Sequence, residues 1–117
     1  MELEKLPNKR FAYECVKLLI DNDVLGDSEL NVLTNGEKCA RLFCCSSGFP
    51  ILLEVSKYAD EEELSVACYD GTKRQRYYKD IITHNGKAYV VTNHWYGPNK
   101  TMPDNRTPFM KWVLAKI

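Results

Sequence analysis

The sequence lacks any apolar run that could cross a bilayer. A transmembrane helix needs about 20 consecutive apolar residues, and no stretch of this chain approaches that length. The segment Met1–Pro7 is charged where a signal peptide would be apolar. The sequence therefore predicts a cytoplasmic protein and excludes the membrane-spanning and secreted classes.

The chain is also poor in catalytic and metal-binding motifs. Histidine occurs only at His84 and His94, and both the glycine-rich phosphate loop and the H-E-x-x-H pattern are absent. The five cysteines lack the C-x-x-C spacing typical of zinc sites, and their odd number without a secretion signal predicts reduced thiols. We therefore expect no catalytic residue, no metal and no cofactor. Catalysis is the less favoured interpretation, and a binding module is the favoured one.

What the chain does contain is typical of one small folded domain. It has 117 residues, of which 44% are hydrophobic and 27% are charged. A chain of this length buries roughly two thirds of its unfolded surface, which suffices for a core without disulfides or metals. No repeat, low-complexity tract or long linker divides it. We expect a single domain over residues 1–117.

The net charge of zero hides an asymmetry along the chain. Residues 1–70 hold seven Lys/Arg and fourteen Asp/Glu, which gives a charge of −7. Residues 71–117 hold nine Lys/Arg and two Asp/Glu, which gives +7. Such asymmetry indicates either an acidic partner for the basic half or mutual neutralisation of the two halves within the fold. The sequence leaves both alternatives open.

Three helices are predicted in the first half, where apolar residues recur at spacings of three and four. Asn8 is the expected N-cap of the first helix, and Ser28 is the expected N-cap of the second. The predicted ranges are 8–22, 28–34 and 37–45. The third helix is expected to place Cys39, Leu42 and Phe43 inward and Lys38 and Arg41 outward.

Strands are predicted after Pro50, where the apolar period changes to two. Residues 49–55 alternate first, with Ile51, Leu53 and Val55 on one face, and residues 64–68 alternate again. The strongest local signal is Asn85-Gly86 between the β-rich segments 76–83 and 87–96, which predicts a tight hairpin. A two-residue loop there pairs Ile82 with Tyr89, Ile81 with Val90, Asp80 with Val91 and Tyr78 with Asn93.

A last helix is predicted near the C-terminus. Thr107 is its expected cap, and Pro108 stands at the first helical position, where a missing N–H costs nothing. Its apolar face would carry Phe109, Trp112, Val113 and Ile117. Trp95 and Tyr96 are expected to join this core. The alternative is an exposed platform that stacks on bases or holds a peptide.

These elements predict an α+β fold with N-terminal helices, a small antiparallel sheet containing a β-hairpin, and a C-terminal helix. The order resembles that of winged-helix domains with an appended helix. The resemblance implies that the third helix faces a DNA groove and that the basic hairpin is a wing touching phosphates.

The favoured function is therefore nucleic-acid binding, with DNA as the expected partner. Clustered cations with interleaved tyrosines suit a polyanion through charge and stacking. The alternative is a protein–protein interaction or regulatory accessory domain. The predicted nucleic-acid-binding residues are Lys73, Arg74, Arg76, Tyr77, Lys79, Lys38 and Arg41.

Overall fold

The computed structural model describes residues 2–45, 49–98 and 101–117. Within these ranges a short 3₁₀ helix, five α-helices and a three-stranded antiparallel sheet form an α+β fold, so the predicted fold class is confirmed. The elements are the 3₁₀ helix Leu3–Lys5, α1 Asn8–Asp21, α2 Asp27–Leu33, α3 Gly36–Phe43, β1 Leu52–Val55, α4 Glu61–Cys68, β2 Ile82–His84, β3 Lys87–Val91 and α5 Arg106–Lys116. None of the described helices is long and apolar enough to cross a membrane.

The predicted hairpin is confirmed at its tip. Asn85 and Gly86 have φ angles of +51° and +79°, the left-handed conformations that a type I′ turn requires. Ile82 pairs with Tyr89 as predicted, and β3 lies between β1 and β2 in the sheet.

The hairpin register is wrong further from the tip. β2 begins only at Ile82, and pairing resumes at the Tyr77–Thr92 bridge, which shifts the register by two residues. Between these points Lys79 pairs with Glu61, and Asp80 pairs with Lys9. The predicted pairs Ile81–Val90, Asp80–Val91 and Tyr78–Asn93 therefore do not form.

The strand predicted at residues 64–68 is wrong, because this segment is the helix α4. The Asp60 side chain caps the helix by accepting a hydrogen bond from the Glu63 N–H at 2.9 Å. Leu64 and Cys68 are buried one turn apart, whereas Val66 is 76% exposed. The winged-helix resemblance is not confirmed, since a helix stands where that order expects a strand.

The N-terminal helices form close to their predicted ranges, but their caps and faces differ. Asn8 is the first residue of α1 and not its cap, and its Nδ2 donates to the Trp95 carbonyl at 3.1 Å. The cap of α2 is Gly26 rather than Ser28. Leu42 is 50% exposed instead of inward, because α3 ends at Phe43 and buries only one narrow face.

The first strand and the last helix also begin elsewhere than predicted. β1 starts at Leu52, and both Ile51 and Leu52 are buried, so the alternation predicted for residues 49–55 holds only in part. α5 starts at Arg106 after Asn105, and the predicted cap Thr107 is already helical. Ile117 is 46% exposed and lies outside the buried face of α5.

An aromatic core joins α1, α3 and α5. The Phe11 and Trp95 rings meet at 5.4 Å, the Trp95 and Phe109 rings at 5.3 Å, and the Phe43 and Phe109 rings at 5.5 Å. Trp95 is 3% exposed and its Nε1 donates to the Thr92 carbonyl. The core role predicted for Trp95 is confirmed, and the exposed platform is wrong for this residue.

A second, smaller cluster lies between α4 and the sheet. Leu64, Cys68, Tyr77 and Val90 are its buried members, and Phe49 packs against them. This cluster supports the segment that follows α4.

Candidate nucleic-acid interface

The backbone after α4 is folded around one carboxylate, that of Asp70. Its Oδ1 accepts hydrogen bonds from the Thr72 N–H at 2.8 Å, the Thr72 hydroxyl at 2.6 Å and the Arg74 N–H at 3.0 Å. Its Oδ2 accepts from the Arg76 Nε–H at 2.7 Å. These bonds favour the ionised form and hold the pKa of Asp70 well below its usual range. We call residues 70–76 the Asp70 turn.

Two of the predicted cations project from this turn. Lys73 and Arg74 are exposed, and neither forms an ion pair within the described ranges of the chain. Lys73 has a φ angle of +63°, and its N–H donates to the Asp70 carbonyl. The turn therefore presents two cations from a backbone that internal hydrogen bonds hold in place.

Arg76 instead faces the protein. Its side chain is 18% exposed, its guanidinium lies 4.6 Å from the Phe49 ring centroid, and it pairs with Asp70. Its Nη1 lies 3.0 Å from His94 Nε2. Because a guanidinium can only donate, His94 Nε2 accepts and this imidazole is neutral. Burial, followed by the charge of Arg76, lowers the pKa of His94.

Tyr77 and Lys79 are also held by the protein. Tyr77 is 3% exposed and its hydroxyl donates to the Pro50 carbonyl at 2.9 Å, so it offers no ring face to a ligand. Burial raises the pKa of Tyr77. Lys79 Nζ donates to Glu61 at 2.8 Å and to the Ser65 hydroxyl at 3.0 Å.

The remaining predicted residues, Lys38 and Arg41, belong to a different element. Both lie on α3, which packs against α2 and α5. Lys38 is half-buried, and Arg41 is exposed with its Nη2 3.9 Å from Glu37. Among the described residues no hydrogen bond or ion pair connects them to the Asp70 turn.

The structure adds two surface residues that the sequence interpretation missed. Val66 is 76% exposed and Tyr69 is 39% exposed, and both line a shallow depression together with Lys73. The Tyr69 hydroxyl lies 3.5 Å from the Gln75 side chain, and Lys79 Nζ lies 5.6 Å from the ring centroid. The exposure of Val66 becomes visible only once residues 61–68 are assigned as a helix that buries Leu64 and Cys68. Tyr69 follows that helix in extended backbone, and no sequence pattern indicated its exposure.

Ion pairs also connect the acidic and basic halves of the chain. Four of the described pairs join a base from residues 71–117 to an acid from residues 1–70. The charge asymmetry is therefore partly neutralised inside the fold. The pairs are Arg76–Asp70, Lys79–Glu61, Lys87–Glu54 and Lys116–Glu29.

The cysteines and histidines form no recognisable reaction centre in the ranges that the structure describes. Burial raises the pKa of Cys45 to about 12, which keeps it a thiol. Asn105 Nδ2 lies 3.9 Å from the Cys45 sulfur, but no described hydrogen bond joins Cys45 to His94. All five cysteines are free thiols, and no described group of three His, Cys, Asp or Glu side chains could hold a metal ion.

Comparison with known proteins identifies no relative: no family model, no curated protein and no solved structure matches this chain.

Proposed function

We propose that this chain is a non-enzymatic binding domain that takes single-stranded nucleic acid at the Asp70 turn. One observation carries the proposal: Lys73 and Arg74 are exposed and form no ion pair with any described residue, and Lys73 lines the same depression as the exposed ring of Tyr69. Two free cations beside an aromatic ring suit a phosphate backbone with a stacked base.

The fixed backbone of the turn supports this proposal. Asp70 holds the turn through four hydrogen bonds, so Lys73 and Arg74 need little backbone ordering when a ligand binds. The Lys79 ammonium also lies 5.6 Å from the Tyr69 ring centroid, but Glu61 pairs with it, so Lys73 and Arg74 are the cations that this proposal assigns to phosphate. Single strands are favoured over a duplex, because two free cations make a small footprint and because bases are open to stacking only in single strands.

The test is fluorescence anisotropy of labelled single-stranded RNA and DNA at low and at near-physiological salt. We expect a micromolar or weaker Kd, with log K falling against log salt with a slope of about −1.4, because each single-strand phosphate contact contributes about −0.7. The double variant Lys73→Ala/Arg74→Ala should lose this slope. Binding that is unchanged in the double variant would contradict the proposal.

Two matched controls sharpen the test. Lys57→Ala/Lys111→Ala removes the same charge from exposed positions elsewhere and should leave the slope unchanged. Tyr69→Ala should weaken binding by about 1–3 kcal/mol, the usual value of one stacked base. Tyr58→Ala, which removes a ring that is 82% exposed, should have no such effect.

A protein-interaction function is the second candidate, and the exposure of Val66 favours it. Val66, exposed on α4, and Tyr69, just after the helix, line one depression, and such a pair is typical of a contact surface for an apolar side chain of a partner. Such binding should survive about 1 M salt, at which exposed charges are screened. It should be lost in Val66→Asp and retained in Lys73→Ala/Arg74→Ala, the opposite of the result expected for nucleic acid.

A further inference from the structure

A second candidate site lies in a cleft on another part of the molecule. The cleft has a volume of about 410 Å³ and lies between the 3₁₀ helix, the start of α1, the segment after Trp95 and the start of α5. This volume falls within the usual range of about 300–1,000 Å³ for small-molecule sites. Pro7, Tyr96 and Met110 contribute apolar atoms to its walls, and Arg106 contributes the cation.

Arg106 is held in the cleft by neutral acceptors. Its Nη1 donates to Asn8 Oδ1 at 2.7 Å, and its Nη2 donates to the carbonyls of Leu3, Glu4 and Leu6 at 3.4, 3.3 and 2.7 Å. The guanidinium carbon lies 4.2 Å from the Phe11 ring centroid. The charge is thus fixed in position. Arg106 forms no ion pair in the described part of the chain, and the Asp104 carboxylate acts on it only over a longer distance.

Donor capacity also remains on Arg106. A guanidinium carries five N–H donors. The two Nη2–H groups share three carbonyls and one Nη1–H donates to Asn8, which leaves the Nε–H and the other Nη1–H without a described acceptor. The backbone at the start of α5 offers nothing further to a ligand. The Arg106 N–H donates to the Tyr96 carbonyl, and the Thr107 N–H donates to Asp104 Oδ1. The side chain of Arg106 is therefore the anion-binding group, and the helix end is not.

From this geometry we propose that the cleft binds a small organic carboxylate with an apolar body. The carboxylate would accept from the free N–H donors of Arg106, and the body would pack against Pro7, Tyr96 and Met110. A charge-assisted hydrogen bond to a half-buried cation supplies specificity, and the apolar walls favour an organic acid over an inorganic anion. The Glu4 carboxylate also lines the cleft and opposes an anion. This site is independent of the Asp70 turn.

Benzoate is a suitable probe, and the indole N–H signals of the two tryptophans report its location by NMR. Trp95 lines the cleft, whereas Trp112 is absent from its lining and serves as the internal control. We expect a saturable shift of the Trp95 signal with a Kd of about 1 mM, a typical affinity for a ligand of this size. Trp112→Phe assigns the two signals.

Two further probes separate the parts of the proposal. Benzamide has the same ring without the charge and should bind at least about tenfold more weakly, since a hydrogen bond to a charged group is worth about 1.5–3 kcal/mol. Inorganic phosphate has the charge without the apolar body and should also bind more weakly. Benzamide binding as tightly as benzoate would contradict the proposal that Arg106 recognises the carboxylate. Phosphate binding as tightly as benzoate would contradict the proposal that the apolar walls contribute to binding.

Variants on opposite sides of the cleft should change benzoate affinity in opposite directions. Arg106→Gln should weaken binding about tenfold or more. Glu4→Gln, at an exposed side chain, should tighten it roughly two- to fivefold by removing a repulsive charge. Gly97→Leu adds bulk to the wall of the cleft while keeping the Arg106 guanidinium, and it should weaken binding. A Cβ at this position makes only an ordinary contact, 3.9 Å from Arg106 Cδ. A shift of the Trp95 signal that is the same in wild type, Glu4→Gln and Gly97→Leu would place benzoate outside the cleft.

Discussion

The Asp70 turn and the Arg106 cleft use the same chemical group in different ways. In each region a half-buried arginine lies against an aromatic ring, Arg76 over Phe49 and Arg106 over Phe11. Arg76 pairs with a carboxylate, whereas Arg106 has only carbonyl and amide acceptors. A cation that pairs with a carboxylate of the protein stabilises the fold, and its positive charge is neutralised locally. A cation held by neutral acceptors still attracts an anionic ligand.

The comparison reverses the expectation drawn from the charge distribution along the chain. In the Asp70 turn and just after it, Arg76 pairs with Asp70 and Lys79 pairs with Glu61, whereas Lys73 and Arg74 form no ion pair with a described residue. In the cleft, Arg106 stands outside any basic cluster and forms no ion pair among the described residues. The number of cations in a stretch of sequence therefore does not predict how many are available to a ligand, because the fold pairs some of them with acidic side chains.

The largest expected effect comes from breaking the cores on which the two regions rest. Phe109→Ala should lower the free energy of unfolding by about 3–5 kcal/mol, since Phe109 is fully buried between Phe11, Phe43 and Trp95. Leu64→Ala in the small cluster should cost about 2 kcal/mol, because its site lies at the edge and can relax. Urea unfolding measures both values. An equal or larger loss in Leu64→Ala would contradict this ranking of the two cores.

A smaller loss of stability is expected when Arg76 loses its carboxylate partner, which leaves it without an ion pair, as Arg106 is. Asp70→Asn removes the carboxylate and leaves Arg76 beside neutral His94 with no ionic partner, so the folded state should lose stability at neutral pH. Because the folded-state pKa of Asp70 is lowered, its stabilisation is present above about pH 4 and is lost as the pH falls through the folded value. The difference in unfolding free energy between wild type and variant should therefore shrink in acid.

Asp80→Asn is the matched control for that experiment. Asp80 pairs with Lys9 through side chains that are 64% and 52% exposed, so its loss should change stability by less than about 1 kcal/mol. A larger loss in Asp80→Asn than in Asp70→Asn would show that Asp70 does not organise the turn.

The pH dependence near neutrality should come from His94. Its folded-state pKa is lowered, so the unfolded chain binds the proton more readily, and stability should decrease as the pH falls below about 6.5. His94→Gln, whose side-chain oxygen can still accept from Arg76, should flatten this part of the curve. Chemical unfolding at several pH values compares His94→Gln with the wild type, and a loss of stability below about pH 6.5 that is the same in both would contradict this assignment.

Short-range patterns account for what the sequence predicted correctly. The Asn85-Gly86 pair is sufficient to predict the turn, because a type I′ turn needs positive φ at both positions and both residues adopt it. The Ile82–Tyr89 pair then follows from the two-residue loop. The error at α4 has an equally local cause: residues 64 and 68 satisfy both an alternating and a helical period, and only the Asp60 cap decides between them.

The cleft was beyond the reach of such patterns. Arg106 bonds to the carbonyl of Leu6, one hundred residues earlier, and no local period encodes a contact of that kind. The same holds for Arg76 and His94, which lie eighteen positions apart.

The smallest expected change in stability comes from giving Arg106 the carboxylate that Arg76 already has. Asn8→Asp places an acid at the atom that now accepts from Arg106 Nη1, and it removes the Nδ2 donor that bonds to the Trp95 carbonyl. These two effects oppose each other, so the free energy of unfolding should change by no more than about 1 kcal/mol. Benzoate affinity should nevertheless fall, because the charge that the ligand requires is now compensated, while nucleic-acid binding at the Asp70 turn should be unchanged. Benzoate binding that is undiminished in this variant would mean that an uncompensated Arg106 is not what distinguishes the cleft from the Asp70 turn.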